Sequence, residues 1–135
     1  MTFQVHFQNP KWDPDDREIV GPLSENEAIE RFENYPWTQE YLARTHKLTR
    51  PTFAVHDLDD GRSLIFFQVG ADSPAFFISY GKTQIRRFLR VFRRTNVETV
   101  HASDVHFSTA TAIVRAFCSR DEQRMTELAT WRRPD

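Results

Sequence analysis

Only four glycines and a single cysteine occur in this 135-residue chain, and no apolar run approaches the roughly 20 residues that a membrane-spanning helix needs. Each shortage excludes something. Few glycines leave few places where backbone can close on a phosphate, and neither a Gly-rich phosphate loop nor a Ser-His-Asp arrangement is visible. An enzyme is therefore disfavoured, although acid–base dyads need not be sequential. Cys118 has no second cysteine to bond, and its simplest role is a small packing residue beside Phe117. The opening MTFQVHFQNP lacks a basic region followed by an apolar stretch, so the chain reads as cytoplasmic. The five histidines do not form a ligand set. His101 and His106, five apart, are expected on opposite faces of a strand, and zinc sites favour tightly spaced pairs. No metal, no cofactor and no catalytic residue is assigned.

What is abundant is phenylalanine. Twelve Phe raise aromatic content to 13 %, enough to organise one core in a single domain despite a polar average. Charge is also present, but it is unevenly placed. Residues 1–60 carry twelve acids against six bases, and residues 61–135 carry seven against twelve, so a net of -1 conceals about -6 and +5. Two solvated faces explain this simply; a field that steers a charged partner explains it too.

Period-2 and period-3.6 segments alternate along the chain, which implies an α+β fold with helices packed on an antiparallel sheet. FQVHF alternates Phe3, Val5 and Phe7 with polar residues and reads as a half-buried strand. Residues 9–18 are rich in turn formers and acid, and read as an exposed loop. Ser24 and Glu27 form a capping box before Ala28, Ile29 and Phe32, predicting a helix near 25–34 that Pro36 stops. A second, shorter helix starts at Trp37. From Pro51, Phe53 and Val55 lead into a hairpin whose turn is Asp60-Gly61, and Leu64 to Val69 return as a strand apolar on both faces, hence central. SPAFFISYG and ETVHASDVHF supply further strands. STATAIVRAFCS predicts a helix over 109–119 capped by Ser108.

The stretch KTQIRRFLRVFRRT sets six cations among Ile85, Phe88, Leu89 and Phe92. Those four fall at i, i+3, i+4 and i+7, which predicts a helix over 83–94 with one face in the core. On that reading its aromatics are consumed by packing, and nucleic acid becomes an unlikely partner. DLDDG, residues 57–61, is one residue short of a calcium loop and is better read as a turn.

The stretch from Pro51 to Arg132 resembles bacterial immunity proteins of polymorphic toxin systems, the group often paired with nucleic-acid deaminase toxins. Two blocks carry the likeness. PTFAVHDLDDGRSLIFFQVGADSPAFFISY has the Phe-x-Val strand, acidic turn, Leu-Ile strand and apolar strand ending in Tyr80. VHFSTATAIVRAFCSRDEQRMTELATW has the Ser-capped helix, a polar spacer and a Thr-Trp pair ending in Trp131. The resemblance implies a protein that binds a cognate toxin and covers its active site, without catalysis. A toxin acting on nucleic acid presents a basic cleft, and KWDPDDRE suits it: Asp13, Asp15 and Asp16 offer charge and Trp12 a rigid anchor. Trp37, Asp59 and Asp60 complete the expected partner-binding set. The alternatives are a small-ligand-binding protein or enzyme on an α+β scaffold, and nucleic-acid binding through the basic 82–94 segment.

Overall fold

Edge to edge, six strands pair in the order β2-β1-β3-β4-β5-β6, and every pairing is antiparallel. The computed structural model describes residues 2–8, 18–42, 51–69, 74–88 and 92–133, with Gln8, 83–88 and 92–98 as backbone. In chain order the elements are β1 (Phe3–Gln8), β2 (Glu18–Leu23), α1 (Glu25–Glu33), α2 (Trp37–Leu42), β3 (Thr52–Asp57), β4 (Arg62–Gln68), β5 (Ala75–Phe88), β6 (Phe92–His106), α3 (Phe107–Cys118) and α4 (Glu122–Leu128). This is the expected α+β class, and β4 is central as its two-sided apolar pattern implied.

All four helices contribute to one core on one face of the sheet. The alternation of β1, β3, β4 and β5 places Phe3, Val5, Phe53, Val55, Leu64, Phe66, Phe76 and Ile78 there. α1 lowers Phe32 into their midst. Its ring lies 4.6 Å from Phe66, 5.5 Å from Phe53 and Trp37, and 5.9 Å from Phe76 and Phe107. The capping box forms as read: Glu27 N donates to Ser24 Oγ at 3.3 Å, and Ser24 N donates to Glu27 Oε1 at 3.2 Å.

Four expectations need correction. The helix over 83–94 does not form: residues 75–88 and 92–106 are two long strands, paired through Thr83↔Val97, Ile85↔Thr95 and Phe88↔Phe92. Phe76 and Ile78 at one end of β5, and Ala102 and Val105 at one end of β6, are buried in the core. They set a register that continues outward residue by residue. Thr83, Ile85, Phe88, Phe92, Thr95 and Val97 are β-branched or aromatic and suit it. A short window sees the 3.6 spacing of the apolar residues but not their partners across the hairpin.

The second correction concerns the chain after the first strand. Glu18 begins β2 rather than ending a loop, and β2 pairs with β1 at the sheet edge; residues 9–17 lie outside the described residues. Its extra residue near Gly21-Pro22 and its proline mark it as an edge strand. Third, α3 starts at Phe107 with His106 as its cap, and Ser108 is already helical. β6 runs directly into the helix, whose first residue, Phe107, stacks on Phe32. The polar stretch after Cys118 also folds, as α4, capped by Asp121, whose Oδ1 accepts from Arg124 N at 3.0 Å. Fourth, His101 and His106 share a face. A bulge with Asp104 at φ 55 adds a residue to β6, so they pair with Ser79 and Ala75, which are four apart.

The turn from β3 to β4 is organised by one buried carboxylate. Asp57 accepts from Arg62 Nη2 at 2.7 Å, from Arg120 Nε at 3.0 Å, and from the amides of Asp59 and Asp60. Arg62, 1 % exposed, also donates to the Phe117 carbonyl and lies over the Phe117 ring. Burial alone would raise the Asp57 pKa; the bonds from Arg120 and Arg62 outweigh it and hold the carboxyl at about 2. DLDDG is thus a turn tied to the end of α3, as its length implied.

Two outcomes follow from this packing. Phe32→Ala should destabilise by roughly 3–5 kcal/mol in urea unfolding, because no neighbour can fill the space among five rings. Asp57 has a folded pKa below its unfolded value, so its contribution is present above about pH 4 and lost as pH falls toward 2. Asp57→Asn should cost about 3–5 kcal/mol at neutral pH, because it removes the buried carboxylate that Arg62 and Arg120 share. It should also flatten the dependence of the urea midpoint on pH between about 4 and 2, where the wild type loses roughly 2–3 kcal/mol.

Candidate partner-binding cleft

The helical period of α1 that buries Ala28, Ile29 and Phe32 leaves Glu27, Glu30, Arg31 and Asn34 on its outer flank. Opposite them stand Phe7 and Glu18, paired across β1 and β2, and Glu40 of α2. Together they enclose a cleft of about 570 Å³ with Phe7, Phe53 and Tyr35 as its aromatic wall. Four carboxylates face one guanidinium there. The cleft is therefore strongly acidic, and it lies entirely within the acidic first half of the sequence.

Local chemistry sharpens the charge. The amide and hydroxyl of Ser24 hold the Glu27 carboxyl below its ordinary value, so it is ionised at neutral pH. Burial and the nearby Glu40 charge push the Tyr35 phenol well above its usual value, so it stays neutral. Tyr35 meets Phe7 edge-on at 5.7 Å and Phe53 at 5.8 Å, which makes it a rigid wall. Glu40 Oε2 is buried and has no hydrogen-bond partner among the described residues.

The expected partner-binding residues are distributed differently from the expectation. Trp12, Asp13, Asp15 and Asp16 lie outside the described residues. The chain leaves the sheet at Gln8 and rejoins it at Glu18, and Glu18 lines the cleft. Trp37 is a core residue, 3 % exposed, with Nε1 donating to the Phe32 carbonyl at 3.3 Å, so it is unavailable as a surface anchor. Asp59 and Asp60 are exposed but engaged in the turn: Asp59 Oδ2 accepts from Thr2 N at 2.7 Å, and Asp60 pairs with Arg62 Nε at 2.9 Å. They belong to the opposite end of the strands, since Phe3 pairs with Asp57 while Phe7 pairs with Phe53. Sequence reasoning missed Glu18, Glu27, Glu30, Glu40 and Tyr35. The signal for Glu27 and Glu30 was a helical flank of acids, which reads equally well as a solvated face.

Cys118 is fully buried, and burial followed by the Glu25 charge pushes its thiol to about 12, so it packs as a neutral side chain. Among the described residues no group of three or more His, Cys, Asp or Glu is placed to hold a metal ion. Nor is any described helix long and apolar enough to cross a membrane. On the sheet face away from the helices, a smaller hollow of about 290 Å³ is lined by His6, Thr52, Ala54, His56, Ile65 and Phe67. No protein-family model, curated protein or solved structure matches this chain.

Carboxylates in excess of cations in one cleft oppose folding by mutual repulsion. Glu30→Gln together with Glu40→Gln should therefore raise stability by about 0.5–1 kcal/mol at low salt, with the gain shrinking in about 1 M salt. Paired urea titrations at the two ionic strengths check this.

Proposed function

We propose that this protein is an inhibitor of the immunity type: it binds a cationic protein, the toxin encoded beside it, and occludes that protein's active site without catalysis of its own. The observation that carries this reading is the acidic cleft, with four carboxylates, one of them holding a buried acceptor that has no partner among the described residues, against a rigid aromatic wall. A toxin that acts on nucleic acid must itself attract phosphates, so its active site is basic, and a concave acidic surface complements it in sign and shape. The resemblance of residues 51–132 to immunity proteins supports the same reading, as does the charge of about -6 over residues 1–60. Asp13, Asp15 and Asp16 supply further negative charge in this proposal, with Trp12 as an anchor. The inhibitor acts in the cytoplasm, where a toxin would reach its target.

The cleft volume also falls in the range of small-molecule sites, roughly 300–1,000 Å³, which keeps a small cationic ligand as the second reading. Co-expression with the product of the neighbouring gene separates the two. Wild-type chain should protect cells and form a complex with that product. Glu30→Lys with Glu40→Lys, or reversal at Asp13, Asp15 and Asp16, should slow association by roughly tenfold or more at low salt, with the fold retained by circular dichroism. Trp12→Ala should act mainly on dissociation. A neighbour that is not toxic, or reversed variants that protect as well as the wild type, would refute the reading.

A further inference from the structure

Past Lys82 the sheet narrows to two strands. The pairing of β4 with β5 ends at Arg62↔Lys82, whereas β5 and β6 remain paired to Phe88↔Phe92. The six further residues on β5, 83–88, extend the hairpin by about 20 Å, and no third strand flanks it among the described residues.

The arginines of this ribbon oppose its formation. The register sets Arg86 opposite Arg94 and Arg87 opposite Arg93. Like charges directly opposite are destabilising in a sheet, and a lone two-stranded ribbon is marginal in water even without them. Successive pairs alternate between faces, so one Arg pair belongs to each face of the ribbon. With Lys82 the described positions 82–88 and 92–98 hold five cations against one acid, Glu98. An external polyanion relieves this repulsion.

We infer that the β5–β6 ribbon is a DNA-binding arm that enters the major groove of a duplex. A two-stranded ribbon fits that groove, which is about 12 Å wide, and its walls present phosphates on both sides. A flat acidic protein surface answers one positive face; a groove answers two. Phe88 and Phe92 pair at the end of the described ribbon. Because residues 75–88 and 92–106 are paired strands, Phe88 and Phe92 do not lie on a core-facing helix, and packing of that kind does not exclude nucleic acid. The arm and the acidic cleft occupy different edges of the sheet, so this inference and the proposed inhibition fail separately.

The test uses the full chain and a labelled mixed-sequence DNA duplex of about 20 base pairs, with anisotropy read between about 50 and 200 mM salt. Micromolar binding is expected, with log K falling against log salt at a slope near -4, as five cations on phosphates imply. Arg87→Gln with Arg93→Gln should reduce that slope by roughly 2 and leave the urea midpoint unchanged or raised. Absence of duplex binding at the lowest salt overturns the inference, as does a slope that the double variant does not change. Equal binding of a single strand overturns the groove placement. Binding of poly-glutamate in place of DNA would assign the ribbon to an acidic protein instead.

Discussion

A single buried carboxylate, Asp57, joins the two halves of the architecture. It sits at the end of β3, takes one guanidinium from β4 and another from Arg120, two residues past α3, and so fastens the helical layer to the sheet. The end of α3 depends on it. Arg120 lies in the left-handed region at φ 59, a place that favours glycine, while its amide and that of Asp121 close back on Phe117 and Ala116. Its side chain on Asp57 offsets that strain and directs the chain into α4. The pair of Asp57 with Arg62 is fully shielded from water, so leaving either partner alone is far more costly than never having had the charges. The arrangement therefore selects one relation between sheet and helices.

On that scaffold the two signs of charge are held apart. The acidic cleft sits against β1 and β2, at the end marked by Phe7 and Phe53. The basic ribbon leaves from β5 and β6 at the other end, beyond the row Asp57↔Arg62↔Lys82. Cleft and ribbon thus stand at diagonally opposite corners of the sheet, separated by roughly 15–20 Å of strand spacing alone. That exceeds a Debye length at physiological salt, so neither surface neutralises the other. A near-zero net charge thus conceals an acidic cleft and a basic ribbon.

Where local pattern and long-range pairing agreed, the sequence was a sufficient guide. Ser24, Glu27, Ala28, Ile29 and Phe32 announce α1 because capping and periodicity act within two turns of chain. The β3–β4 hairpin is legible for the same reason, with Gly61 at φ 63 supplying the turn. Where they disagreed, the local pattern misled. Ile85, Phe88, Leu89 and Phe92 have helical spacing, yet the register anchored by Ile78 and Ala102 carries residues 83–88 and 92–98 into a ribbon. Trp37 looked like an available aromatic and is enclosed by Phe32, Tyr35, Phe53 and Phe76.

The sequence by itself determined the α+β class, the central place of residues 64–68, the absence of an internal disulfide and the opposed charge of the two halves. Those follow from composition and from interactions spanning a few residues. Only the tertiary structure decided that Glu18, Glu27, Glu30 and Glu40 converge on one cleft, that Asp57 meets Arg120 across 63 positions, and that arginines face arginines along the ribbon. Each of these depends on which strands become neighbours. Strand neighbours are chosen by the burial of the whole core at once, a quantity that no short stretch of sequence contains.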